Sequence, residues 1–306
     1  MKRACFLIIS ILLFVLLCSC SVDNKNFERS STQAANPDYS TKIKEESSDD
    51  HSESESETME SEIAEEVKSE IHSDVKDIRA DESKESKPYS PQLDASGFVL
   101  VSDVVPDVIQ EIRYYSTYNF VGERISGYAD PVAILTKEAA AALKEVSDEL
   151  RPMGLRIKIF DAYRPRSAVN HFVAWSENED DIIMKDVFYP DVEKSVLFDT
   201  GYLSYYSGHS RGSTVDVTLF DDIACSDLDM GGTFDFFGDR SHADYEGLTE
   251  KQRENRKLLS DVMTKHGFKG LSTEWWHFTL IDEPYKSTYF NFPVSKSYVS
   301  DYEKQN

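Results

Sequence analysis

The sequence predicts an α+β domain. Helix-period apolar runs with capping signals follow Thr136 and Thr249, and β-rich runs lie near residues 155–160, 214–219 and 276–281. Tyr, Phe and Trp are concentrated beyond residue 92, as a packed core requires. No internal repeat is visible.

Each element has its own local reason. Behind Thr136, Ala139, Leu143, Val146 and Leu150 recur at helical spacing, and Gly154 offers a stop. Ile157-Lys158-Ile159-Phe160 then alternates as a strand. Gly212 sits where a turn needs positive φ or close backbone approach, and Val215-Asp216-Val217-Thr218-Leu219 continues as a second strand. The second helix starts at Thr249, where Thr249 and Gln252 suit a capping box, runs through Leu258, Leu259, Val262 and Met263, and stops at Gly267. Trp276 to Ile281 reads as the third strand, preceded by a loop carrying Glu274.

The chain divides into three regions. Lys2 and Arg3 precede an apolar stretch from Cys5 to Leu17, and Leu17-Cys18-Ser19-Cys20 looks like a bacterial lipobox. Residues 1–19 therefore read as a lipoprotein signal and Cys20 as the lipidated first residue. The alternative is an uncleaved N-terminal anchor, and either places the protein outside the cytoplasm on a membrane. Residues 20–92 form an acidic Ser/Glu-rich linker, expected to be disordered, with 20 acidic residues against 9 basic ones between Ser21 and Gln92. That tract carries nearly half of the net −23. Residues 93–306 remain for one folded domain.

Charge and cysteines exclude several classes. The folded region holds 36 acidic and 22 basic residues, a poor match for a phosphate backbone, so no nucleic-acid partner is expected. There is no Gly-rich phosphate loop, hence no nucleotide. Cys225 stands alone in an acidic loop that disfavours the thiolate, so it is neither half of a disulfide nor a nucleophile.

The chemistry concentrates in Ser207-Gly208-His209-Ser210-Arg211-Gly212-Ser213-Thr214-Val215-Asp216 and, about sixty residues on, Glu274-Trp275-Trp276-His277. A catalytic zinc takes three protein ligands, usually His with an acidic residue, and leaves one position for water. His209, Asp216 and His277 fill those places for one Zn2+ per chain, at one end of a sheet. Glu274 is the candidate to take a proton from water and pass it to a departing amine. His171, His242 and His266, taken singly, read as structural. Of Trp275 and Trp276, one is expected in the core and the other walling the site, because successive strand residues face opposite ways.

The S-x-H-x-x-G-x-x-x-D and E-x-W-H elements resemble the zinc D,D-peptidases related to D-alanyl-D-alanine carboxypeptidases, and the doubled tryptophan is similar to VanX-type D-alanyl-D-alanine dipeptidases. The resemblance runs from about Ser96 to Val294 and includes Asp161-Ala162-Tyr163-Arg164-Pro165 and Phe234-Asp235-Phe236. It implies a central, mainly antiparallel sheet flanked by helices and hydrolysis of a small D,D-dipeptide in cell-wall metabolism. Arg164, before Pro165 at a strand-to-loop boundary, would stabilise the developing oxyanion. Ser207 would hold the substrate carboxylate, with Tyr114 and Asp235 near its ammonium. Two features depart from the family pattern: Tyr114-Tyr115-Ser116-Thr117, and glycine at position 208 where serine is frequent. A D,D-carboxypeptidase trimming stem peptides and a non-catalytic cell-wall binding module are the alternatives.

Overall fold

The computed structural model describes residues 92–305, and side chains for 92–300. The lipoprotein signal of residues 1–19, Cys20 and nearly all of the 20–92 linker lie outside the described residues.

Strand β1 (Phe98–Leu100) pairs antiparallel with β3 (Ile134–Thr136) in a small two-stranded sheet. The principal sheet has the order β2-β4-β5-β8-β7, formed by β2 (Ile109–Gln110), β4 (Leu155–Asp161), β5 (Thr214–Asp221), β7 (Phe268–Leu271) and β8 (Glu274–Leu280). Strand β6 (Ser226–Asp227) adds to β5. Only β2 with β4 is parallel; the other pairs of this sheet are antiparallel. The longer helices are α1 (Lys137–Leu150), α2 (Arg166–Glu177), α3 (Glu250–Lys265) and α4 (Lys296–Gln305).

The helix signals work as read. Thr136 Oγ1 accepts the Ala139 amide at 3.3 Å, and Ala139, Leu143, Val146 and Leu150 are the buried stripe of α1. Gly154 follows a short 3-10 turn with φ 74°, a left-handed conformation that glycine adopts without a Cβ clash. At α3, Thr249 and Gln252 form the full reciprocal capping box.

Gly212 combines both demands proposed for it. Its φ is 84°, and a Cβ there would lie 2.1 Å from Phe98 Cε1. Phe98 in turn packs against Tyr163, Phe290 and Phe292 with centroids 5.4, 4.8 and 4.9 Å away. The turn that delivers His209 to β5 is therefore seated directly on the aromatic core.

Strand β8 begins at Glu274, so this residue belongs to the strand and not to a preceding loop. The β7–β8 register slips: Gly270 pairs with Phe278, but Leu271 pairs with Glu274. Such a bulge breaks the two-residue alternation of side chains. Both tryptophans consequently turn inward, Trp275 at 6% exposure and Trp276 at 2%, against the expectation that one would wall the site.

Candidate active site

The ladder register builds the site. Asp216 on β5 stands opposite His277 on β8, and on its other edge opposite Asp161 on β4. Directly opposed residues share a face of a sheet, so three ionisable side chains form one row. His209 reaches the row from the 3-10 turn Gly208–Arg211, whose first amide-capping side chain is Ser207.

His209 Nε2 lies 3.2 Å from His277 Nδ1 and 3.3 Å from Asp216 Oδ2, while His277 Nδ1 lies 3.2 Å from Asp216 Oδ1. Tetrahedral zinc with ligand bonds of about 2.0–2.1 Å requires ligand atoms roughly 3.3 Å apart. The donor set thus has the separations of three corners of a zinc tetrahedron. His209 Nδ1–H donates to the Ala162 carbonyl at 2.7 Å, which leaves the Nε2 lone pair facing inward. Asp216 Oδ1 is buried and faces His277 Nδ1, so a cation shared between these two atoms would satisfy both. These residues fit a zinc ion.

Charge is tightly managed here. Burial would raise the Asp216 pKa, but the charge and hydrogen bond of His209, with a further bond from His277, hold it well below the usual carboxylate range. Burial would lower the His277 pKa, yet hydrogen bonds to Asp216 and Glu274 outweigh it and lift it to about 9. Glu274 Oε2 is 3.4 Å from His277 Nδ1, beside the ligand cluster but not within it. That position suits a proton carrier.

Arg164 lies between the end of β4 and the start of α2, as its place before Pro165 implies. Its Nε donates to Asp161 Oδ2 at 2.8 Å, and its guanidinium stacks over the Tyr114 and Phe172 rings at 4.8 and 5.4 Å. Nη2 donates to Tyr114 Oη at 3.4 Å and lies 3.6 Å from Asp216 Oδ2. The cation is fixed in direction before any substrate arrives.

Asp235 occupies a left-handed turn, φ 60°, and its Oδ2 is buried without a hydrogen-bond partner. Burial pushes its carboxyl well above the ordinary value. A buried acceptor beside a cavity is the expected receptor for an ammonium group. Ser207, Tyr114 and Asp235 all line the cavity that also exposes Arg164, Glu274 and the three metal-ligand candidates. Its volume is about 180 Å³. Drug-sized ligands occupy roughly 300–1,000 Å³, so this space suits something nearer a dipeptide.

Every site residue read from the sequence within 92–305 therefore converges on one cavity. Asp161 and Tyr128 were missed. Asp161 is fully buried, holds Arg164, lies 3.5 Å from His209 Nδ1, and accepts the Tyr128 hydroxyl at 2.6 Å. The available signal was a carboxylate directly after the apolar pair Ile159-Phe160 at the end of β4, a residue type seldom buried without a partner. Trp275 and Trp276 do not line this cavity. His171 and His266 are structural, paired with Glu123 at 2.9 Å and Glu149 at 2.6 Å. At position 208, a Cβ would approach Thr214 Oγ1 to 2.9 Å, so glycine relieves crowding beside the ligand turn.

Comparison with known proteins agrees with this geometry. A peptidase family described as D-ala-D-ala dipeptidase matches residues 94–295. A D-alanyl-D-alanine dipeptidase of Enterococcus faecalis is 38% identical over 200 residues, covering 65% of this chain and 99% of the relative. One of Enterococcus faecium is 34% identical over 198 residues, covering 65% and 98%. The Escherichia coli protein of the same description is 34% identical over 187 residues, covering 61% and 86%.

Proposed function

The chain belongs to the peptidase family described as D-ala-D-ala dipeptidase, and from this premise we propose that it is a zinc enzyme that hydrolyses D-alanyl-D-alanine to two D-alanines. The observation that carries the reading is a small cavity with cation, anion and metal-ligand groups at fixed positions around it.

His209, Asp216 and His277 would hold one zinc ion, which when bound supplies a Lewis acid for the scissile carbonyl and acidifies water. Glu274 takes the proton of the attacking water and delivers it to the leaving amine. Arg164, held by Asp161 and its two aromatic neighbours, meets the charge that develops on the carbonyl oxygen. Asp235 and Tyr114 receive the substrate ammonium, and Ser207 its carboxylate. Recognition at both ends explains a preference for a free dipeptide, since acylation removes the ammonium that Asp235 would otherwise pair with.

One observation favours a second reading as a D,D-carboxypeptidase. A larger cavity of about 570 Å³ shares Leu271 and Glu274 with the catalytic one and could take a longer peptide. Release of D-alanine from D-Ala-D-Ala and from an N-acylated tripeptide ending in D-Ala-D-Ala, each with zinc, separates the two. Turnover confined to the free dipeptide supports the dipeptidase, and preference for the acylated peptide supports the carboxypeptidase.

The location proposed is extracytoplasmic, with a lipid anchor at Cys20 and the acidic linker of residues 20–92 as tether, supported by the basic, apolar and Leu-x-Ser-Cys pattern. The substrate would then be dipeptide outside the cytoplasm, in wall turnover or salvage. Membrane fractions of cells producing the wild-type chain and Cys20→Ala test this; equal membrane retention of both would contradict it.

A further inference from the structure

Leu271 ends β7 and Glu274 begins β8, across a two-residue turn formed by Ser272 and Thr273. The two residues are directly opposed in the ladder, so their side chains share a face. The turn is also held from outside, because the Ala243 amide donates to the Ser272 carbonyl at 2.8 Å. The proton carrier thus has a leucine, 41% exposed, as its fixed cross-strand neighbour.

This pair stands between two spaces. The reaction cavity of about 180 Å³ and the chamber of about 570 Å³ beside it have two lining residues in common, Leu271 and Glu274. Tyr245, Trp275 and Phe278 give the chamber an aromatic wall. Its charges cancel, Arg253, Arg256 and Lys257 against Asp244, Glu246 and Asp261. Arg256 is spent on the backbone carbonyls of Met230, His242 and Arg240, and Lys257 pairs with Asp261 at 2.6 Å. The chamber therefore offers an occupant aromatic surface and no net charge, a match for an apolar side chain.

Glu274 gives its proton to the leaving nitrogen, and that nitrogen carries the Cα of the substrate's second residue. Tyr114 and Asp235, which receive the first residue's ammonium, line the reaction cavity but not the chamber. Of the two substrate side chains, the second is the one beside Leu271. We propose that Leu271 is a specificity-determining residue: it closes the reaction cavity off from the chamber, limits the second residue of the dipeptide to a small side chain, and when shortened admits a bulky apolar one. Glu274, the other shared residue, is committed to proton transfer. The proposal rests on the dipeptidase reading, under which no N-terminal extension competes for the chamber.

The test is kcat/KM of the zinc-loaded full chain for D-Ala-D-Phe relative to D-Ala-D-Ala, with D-Phe-D-Ala as the control for the first residue. Both bulky dipeptides should be poor substrates of the wild type. Leu271→Ala should raise the D-Ala-D-Phe ratio by about tenfold or more, the scale on which single methylenes in a pocket discriminate, and leave the D-Phe-D-Ala ratio alone. Leu271→Trp should lower the D-Ala-D-Phe ratio. Calorimetry without turnover, on zinc-loaded Glu274→Gln with and without Leu271→Ala, should show Kd for D-Ala-D-Phe tightening relative to D-Ala-D-Ala. A D-Ala-D-Phe ratio unchanged in both Leu271 variants would overturn the proposal, as would an equal rise for D-Phe-D-Ala, which reports general loosening. No turnover of any dipeptide by the zinc-replete wild type would sink the dipeptidase reading and this proposal with it, whereas turnover of D-Ala-D-Ala with unmoved ratios would sink this proposal alone.

Discussion

Asp161 Oδ2 receives the Arg164 Nε–H at 2.8 Å while lying 3.5 Å from His209 Nδ1, so one buried carboxylate orients the oxyanion-facing cation and sets negative charge beside a metal-ligand candidate whose own Nδ1–H goes to the Ala162 carbonyl. Groups that steer a ligand from behind typically matter about 10–100-fold in affinity or activity. Asp161→Asn should lower kcat by about that factor with little change in KM, and should weaken zinc binding in a competition with a chelating dye. Unchanged values of both would remove Asp161 from the machinery.

Metal uptake should be coupled to protons and to stability. His277 must be neutral to ligate, yet its neighbours hold its pKa at about 9 in the metal-free protein, so zinc binding releases a proton and weakens as pH falls below 9. Zinc at a thousand times its Kd adds about 4 kcal/mol to folding stability, which for roughly 200 residues raises Tm by about 8–16 °C. Calorimetry with and without chelator measures this.

Asp235 should trade stability for binding. Its folded pKa is raised by burial, so the ionised form destabilises the fold and stability is lost as pH rises from the unfolded value toward the folded one. In the chelated protein, Asp235→Asn should therefore melt higher at neutral pH, and the gain should vanish below about pH 4. With zinc restored, the same variant should show a raised KM for the free dipeptide.

Gly212→Ala should be among the most damaging single changes. It combines a left-handed φ, costing a non-glycine residue about 1–2 kcal/mol, with a Cβ forced against Phe98, where overpacking costs roughly 1–3 kcal/mol. Denaturant unfolding should show a combined loss of about 2–5 kcal/mol, with reduced zinc content because His209 is carried by the same turn.

The parts of the molecule legible in the sequence are those whose cause is local. Thr136 with Ala139, Thr249 with Gln252, and glycines 154 and 212 act within a turn or two of themselves, and the ligand types of His209, Asp216 and His277 state their chemistry directly. Asp161 and Tyr128 escaped notice because their roles depend on the pairing of β4 with β5 and on contacts 33 and 48 residues apart in sequence, through Tyr128 and His209 respectively. The tryptophans were misassigned for a related reason. A bulge between Gly270 and Leu271 is a property of two strands together, and it cancels the alternation that one strand alone suggests.

The most direct test of the central claim is the turnover of D-Ala-D-Ala by Glu274→Gln, with zinc content measured on the same sample. Glu274 lies 3.4 Å from His277 Nδ1 but outside the ligand set, so the amide should leave one zinc per chain in place while kcat falls about 10²–10⁴-fold. Wild-type turnover by the zinc-replete variant would contradict the account.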